Sequence, residues 1–145
     1  MQPKPKVLAA VHPRSMAILR RALGELVALI PAHSLEHAVH LLRNEMDIAL
    51  IVGGAHFDDS RMLELLEVAR REHPAVPFVC CRILGAELKQ VSAQSVATAA
   101  SAVGCPFLDL PEIIKQHGRE EAIARLRAAL LSLARPVAPG EQAAQ

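Results

Sequence analysis

The sequence predicts an α/β fold, a parallel sheet covered by helices on both faces, and three observations carry that expectation. Apolar runs of strand length, Lys6 to Val11, Asp47 to Val52 and Pro77 to Ile83, are continuous rather than alternating, as strands buried on both faces require. Segments with apolar residues at helical spacing separate these runs. The links between them are short and marked by Gly, Pro, Ser or Asp. A chain of 145 residues with 52% hydrophobic content suits one packed domain.

Taken in order, residues 1–5 read as an N-terminal extension and Lys6 to Val11 as the first strand. His12-Pro13-Arg14-Ser15 turns the chain into a helix over about Arg14 to Leu23. There Met16, Ile18, Leu19, Ala22 and Leu23 recur near helical spacing, and Gly24 supplies a left-handed C-terminal residue. Leu26 to Ile30 is expected to be a second strand, closed by Pro31. Ser34 suits the N-cap of a helix over Leu35 to Glu45. The third strand follows from Asp47 and leaves through Gly53-Gly54, which makes it the central strand running into an edge loop. Asp58 to Ser60 is expected to cap a helix from Arg61 to about Glu72, ended by His73-Pro74.

Pro77 to Ile83 is the fourth strand, an apolar run that meets a charge at Arg82. Gly85 to about Val103 reads as one or two helices, with an Ala/Ser-rich and weakly amphipathic half from Ala93 to Ala102. Phe107 to Leu110 is a short last strand, and Glu120 to Leu133 an amphipathic closing helix. The domain is expected to span 6–135, followed by a Pro/Gly/Ala/Gln tail, 136–145, expected to be disordered. With right-handed crossovers, five such strands fit the flavodoxin-like order 2-1-3-4-5 in a three-layer α/β/α arrangement. A ligand of such a sheet would meet the carboxyl ends of strands one, three and four, which are His12, the loop from Gly53 to Asp59, and Arg82.

Composition narrows the function. A net charge of +1 without a long run of either sign argues against nucleic acid or anionic lipid as partner. Trp and Tyr are absent, so base-stacking platforms have little to build on. No apolar run approaches the roughly 20 residues of a membrane span. Three cysteines, Cys80, Cys81 and Cys105, and an N-terminus without a signal-peptide core lead us to expect a cytoplasmic protein with reduced thiols.

Several clusters are candidate sites. His12, His56, Asp58, Asp59 and Arg82 could converge at the carboxyl edge and take a small ligand, an anion or a borderline metal. Their spacing is not diagnostic, so the working expectation is no metal and no cofactor, with the two Asp capping a helix and Arg82 pairing with Asp58 or Asp59. His33, His37 and His40 resemble a ligand ladder, but His37 and His40, three apart on the second helix, are on the side that its apolar residues Ala38, Leu41 and Leu42 turn toward water. Cys80 and Cys81 are strand neighbours that point to opposite faces and cannot act as a CxxC pair, although a thiol beside Arg82 would be a redox candidate. Gly53-Gly54 lacks both nucleotide-loop patterns, and no Gly-x-Ser-x-Gly elbow is present, which argues against an α/β hydrolase.

Four phrases, KVLAAVHP, SLEHAVHLLRNEMDIALIV, VPFVCCR and GCPFLDLP, fall in the order and at about the spacing of bacterial response-regulator receiver domains, which the chain resembles from Lys6 to Leu133. Receivers take a phosphoryl group on an Asp ending strand three. They hold Mg²⁺ with an acidic pair after strand one and contact the phosphoryl group through a Ser/Thr and a Lys ending strands four and five. The resemblance puts Val52, or Gly53, at the phosphoacceptor place, Val11-His12 at the acidic pair, Arg82 at the hydroxyl and Leu110 at the lysine. Neither valine nor glycine offers a nucleophile, and Val-His is a poor site for a hard cation. The resemblance therefore implies a non-enzymatic pseudo-receiver in a bacterial signalling pathway, acting through a protein partner. It also implies a possible homodimer through the last strand and its flanking helices.

Overall fold

The computed structural model describes residues 4–55, 57, 58, 61–84 and 90–134, with residues 90–94 and 96 described at the backbone alone. Strands β1 (Lys6–Ala10), β2 (Ala28–Ala32), β3 (Ile48–Gly54), β4 (Phe78–Arg82) and β5 (Phe107–Asp109) form one parallel sheet in the expected order, β2-β1-β3-β4-β5. Helices α1 (Pro13–Leu23), α2 (Leu35–Asn44), α3 (Met62–Glu72), α4 (Gln90–Ala102), α5 (Leu110–His117) and α6 (Arg119–Leu133) join and follow the strands. This is the flavodoxin-like arrangement.

The period of two along each strand sorts its side chains into two cores. Val7, Ala9, Val11, Val52, Val79 and Cys81 pack with Leu19 and Leu23 of α1 and Leu126 and Leu130 of α6. On the other face Leu8, Ala10, Ile51, Phe78 and Cys80 pack with Leu35 and Leu42 of α2 and Met62, Leu65 and Leu66 of α3. Each fully buried Leu or Ile contributes about 1.5–3 kcal/mol by leaving water. A continuous apolar strand is what a sheet with two cores needs.

Three elements differ from the sequence expectation. Strand β2 starts at Ala28 rather than Leu26, and Pro31 lies inside it, opposite Ala9. The strand is at the sheet edge with one neighbour, where a residue lacking an N–H is tolerated. The last strand ends at Asp109, and Leu110 opens the unexpected helix α5. Here the Asp109 side chain accepts the Glu112 N–H at 3.3 Å and Pro111 occupies the first turn, two N-terminal signals that outweigh continued extension. Gly118, at φ 84°, ends α5 and admits α6. The expected tail, 136–145, and residues 85–89 lie outside the described residues.

Candidate functional site

The carboxyl ends of β1 and β3 are sealed by packing. Val11 is 3% exposed and Val52 fully buried. Gly53 carries no side chain for a reason of space: a Cβ there would stand 2.7 Å from Met62 Cγ and from Phe78 Cζ. One residue on, a Cβ at Gly54 would come within 3.2 Å of the Val11 Cα, so the bare backbone lets β1 and the β3 exit lie together. His12, half-buried, is the N-cap of α1; its Nδ1 accepts the Arg14 N–H at 3.1 Å. That lone pair is thereby engaged in holding a helix end.

Of the two partners expected for it, Asp58 is engaged elsewhere and Asp59 lies outside the described residues, and Arg82, at the end of β4, pairs with Asp109. Its Nη1 lies 3.1 Å from both carboxylate oxygens of Asp109, which ends β5 next to it in the sheet register. The two side chains are 16% and 28% exposed, so this is a half-buried ion pair across neighbouring strand ends. Leu110, at the lysine place, is buried at the head of α5.

Asp58 is occupied elsewhere. Its Oδ2 accepts the Leu35 N–H at 2.8 Å and stands 3.6 Å from Arg61 Nη1. Asp58, expected with Asp59 and Ser60 to cap α3, instead binds the first N–H of α2, whose N-cap is Ser34, and Arg61, the N-cap residue of α3, makes no side-chain cap. The cause is local: at φ 44° Asp58 sits in a left-handed turn, a conformation that Asp tolerates, and the turn aims its carboxylate back at α2. His56 and Asp59, the other members of the proposed set, lie outside the described residues. His12, Asp58 and Arg82 thus hold α1, α2 and β5 respectively.

Among the described residues no group of three or more His, Cys, Asp or Glu side chains converges in a metal-binding arrangement. His33 and His37 stack with ring centroids 5.3 Å apart, and His37 Nδ1 accepts the His33 N–H at 3.1 Å, which ties down the chain entering α2. His40 is exposed and lies beside Asn44. Cys80 and Cys81 face opposite cores, as their adjacency requires. Burial pushes the Cys80 thiol up to about 12 and the Cys81 thiol further up, so both are protonated near neutrality and the redox reading loses its thiolate.

Sequence reasoning missed Asp109. A signal was present, since Asp109-Leu110-Pro111-Glu112 places a capping residue three before an acid with proline in the first turn. No helix among the described residues is long and apolar enough to cross a membrane.

No protein-family model matches the chain, and no curated protein matches it. Solved structures do. The signal receiver domain of an HD domain-containing protein from Pseudomonas fluorescens superposes with TM-score 0.60 at 19% identity, over 92% of this chain and 99% of that one. A pilus assembly-related protein from Burkholderia pseudomallei gives TM-score 0.60 at 17% identity, over 92% of each chain. Pilus assembly protein CpaE from Caulobacter crescentus gives 0.58 at 20% identity, over 88% of this chain and 94% of that one. These likenesses extend over nearly the whole domain at low identity, and the chain has the fold of a receiver domain.

Proposed function

We propose that the chain is a receiver-like signalling module that acts by binding a protein partner and is not phosphorylated at the end of β3. The observation that carries this reading is the pair Val52 and Gly53, a buried valine and a glycine hemmed in by Met62 and Phe78. Phosphoryl transfer to a carboxylate needs a nucleophile, a hard-cation site and a cation over the transferred group. Valine, glycine and the Val11-His12 pair supply none of the first two. Arg82 is committed to Asp109, an ion pair that fastens β4 to β5 and favours one fixed conformation of this edge.

The surface left for a partner is that of α4, β5 and the helices after it, where small side chains such as Ala97, Thr98 and Ser101 permit close approach. Incubating the protein with acetyl phosphate and Mg²⁺ and weighing the intact chain tests the chemical half. No added phosphoryl group is the expected result. A stoichiometric phosphoryl adduct on any carboxylate near the β3 exit, Asp58 included, overturns the reading.

A further inference from the structure

Between α3 and α4 runs an open groove of about 380 Å³, lined by Leu63, Leu66, Glu67 and Arg70 of α3 and by Ala99 and Val103 at the far end of α4. The four α3 positions share one helical face. Leu66 forms a buried floor, whereas Leu63 and Val103 are 37% and 45% exposed. Arg70 donates from Nη1 to the Val103 carbonyl and so ties the end of α4 to α3.

The charges on this face are informative. Glu64 is paired with Arg61 at 3.1 Å and Glu72 with Arg43 at 2.9 Å, whereas Glu67 has no ion-pair partner among the described residues. Glu67 and Arg70 lie one turn apart on the lip of the groove, both exposed. An acid and a base so spaced on one helix are complementary to the same pair running the other way. That is the property an interface between identical chains needs, because a two-fold axis sets each surface against itself. Arg70 has five N–H donors and spends one on Val103, so it can meet a carboxylate as well.

We propose that a second copy of this chain seats on the groove. The two α3 helices meet antiparallel about a two-fold axis, Val103 of each copy covers the other's Leu66, and Glu67 of each faces Arg70 of its partner copy. The inference rests on reading the chain as a protein-binding module. It places self-association on α3 and the end of α4 rather than on β5 and its flanking helices. The acetyl phosphate experiment can fail while this one succeeds, and the reverse, so the two are separable.

Sedimentation velocity of the full chain over a wide concentration range tests it, with circular dichroism melts to show that every variant folds. The wild type is expected to pass from monomer to dimer as concentration rises. Val103→Glu is expected to abolish the dimer. Glu67→Arg sets four cations against one another and is expected to raise the dimer dissociation constant about tenfold, less at high salt. Arg70→Glu is expected to weaken it similarly, and the double variant Glu67→Arg/Arg70→Glu to regain most of the wild-type affinity, since the pairs re-form with signs exchanged. A chain that stays monomeric at every concentration overturns the proposal, even where it captures a different protein in the groove. So does a dimer that tolerates Val103→Glu, or one whose double charge reversal is no better than the single variants.

Discussion

The carboxyl edge of the sheet is closed in two different ways. At β1 and β3 it is closed by volume: Val11, Val52 and two glycines leave room for no polar group, and Gly53 leaves none for a methyl. At β4 and β5 it is closed by charge, Arg82 against Asp109, both still touched by solvent. In the receivers that the chain resembles these two halves work together on one phosphoryl group. Among the described residues the two halves take their main contacts from different partners, β1 and β3 from the packing around Val52 and Gly53, and β4 and β5 from the Arg82–Asp109 pair.

The largest effect is expected from restoring a carboxylate in the packed half. Val52→Asp places an acid at a fully buried position between the sheet and α1 and α6, and is expected to cost about 4 kcal/mol or more, a large share of a typical domain's stability. Burial would raise the introduced carboxyl's folded pKa above its unfolded value. The penalty relative to wild type is therefore smallest at low pH and grows as pH rises toward neutrality. Urea midpoints of both proteins at several pH values measure it. A variant as stable as wild type at pH 7 would mean the β3 end opens to water.

Gly53→Ala is the milder form of the same test. The new Cβ meets the flexible end of Met62 and the ring of Phe78 at 2.7 Å, so one side can shift and the other is held in the core. A loss of about 1–3 kcal/mol is expected, again from denaturant midpoints. No loss would show the glycine to be a matter of backbone rather than of space.

What the sequence made legible follows from the range of the forces involved. Strands and most helices were readable because burial on two faces imposes continuous apolar runs, and caps such as Ser34 act within three residues. Strand β2 was misplaced because edge position, a property of the whole sheet, is what permits Pro31. At the candidate site the positions were legible and the partners were not. Asp58 finds the Leu35 N–H 23 residues away, and Arg82 finds Asp109 27 away, choices made by the folded chain alone. Helix α5 is a different case: its capping signal, Asp109 with Pro111 and Glu112, is local, but it directly follows the apolar run Phe107 to Leu110, which has the pattern of a strand.

The thiols beside the packed glycines make the buried half of the edge sensitive to high pH. Cys80 and Cys81 pair in register with Gly53 and Gly54, and burial first, then neighbouring thiols, push both upward. Their folded values lie above the unfolded one, so the stability they confer is complete below about pH 9 and is lost as pH rises toward 12. Each contributes a slope of about 1.4 kcal/mol per pH unit in that window. With no Tyr or Trp in the chain, thiolate ultraviolet absorbance can be followed without tyrosinate overlap. Native protein at pH 10 is expected to show little thiolate until urea unfolds it. Full thiolate absorbance in the native state would place these sulfurs in water.

The smallest expected effect tests the charged half, and it needs a cycle rather than a single change because Asp109 does two things. Its carboxylate pairs with Arg82 and its Oδ1 also accepts the Glu112 N–H at the start of α5. Asp109→Asn keeps a capping oxygen while removing the charge, and Arg82→Met keeps the alkyl stem. Each alone is expected to cost about 1 kcal/mol, and the coupling between them to fall near 0.5–1 kcal/mol, since side chains 16% and 28% exposed are partly screened by water. Amide hydrogen exchange at Glu112 should quicken in Arg82→Met, because an unpaired carboxylate is freer to leave the helix end. A coupling of zero with unchanged exchange would mean that β4 and β5 are held by their backbone ladder and apolar packing without help from the ion pair. The two halves of the edge would then be closed by the same force.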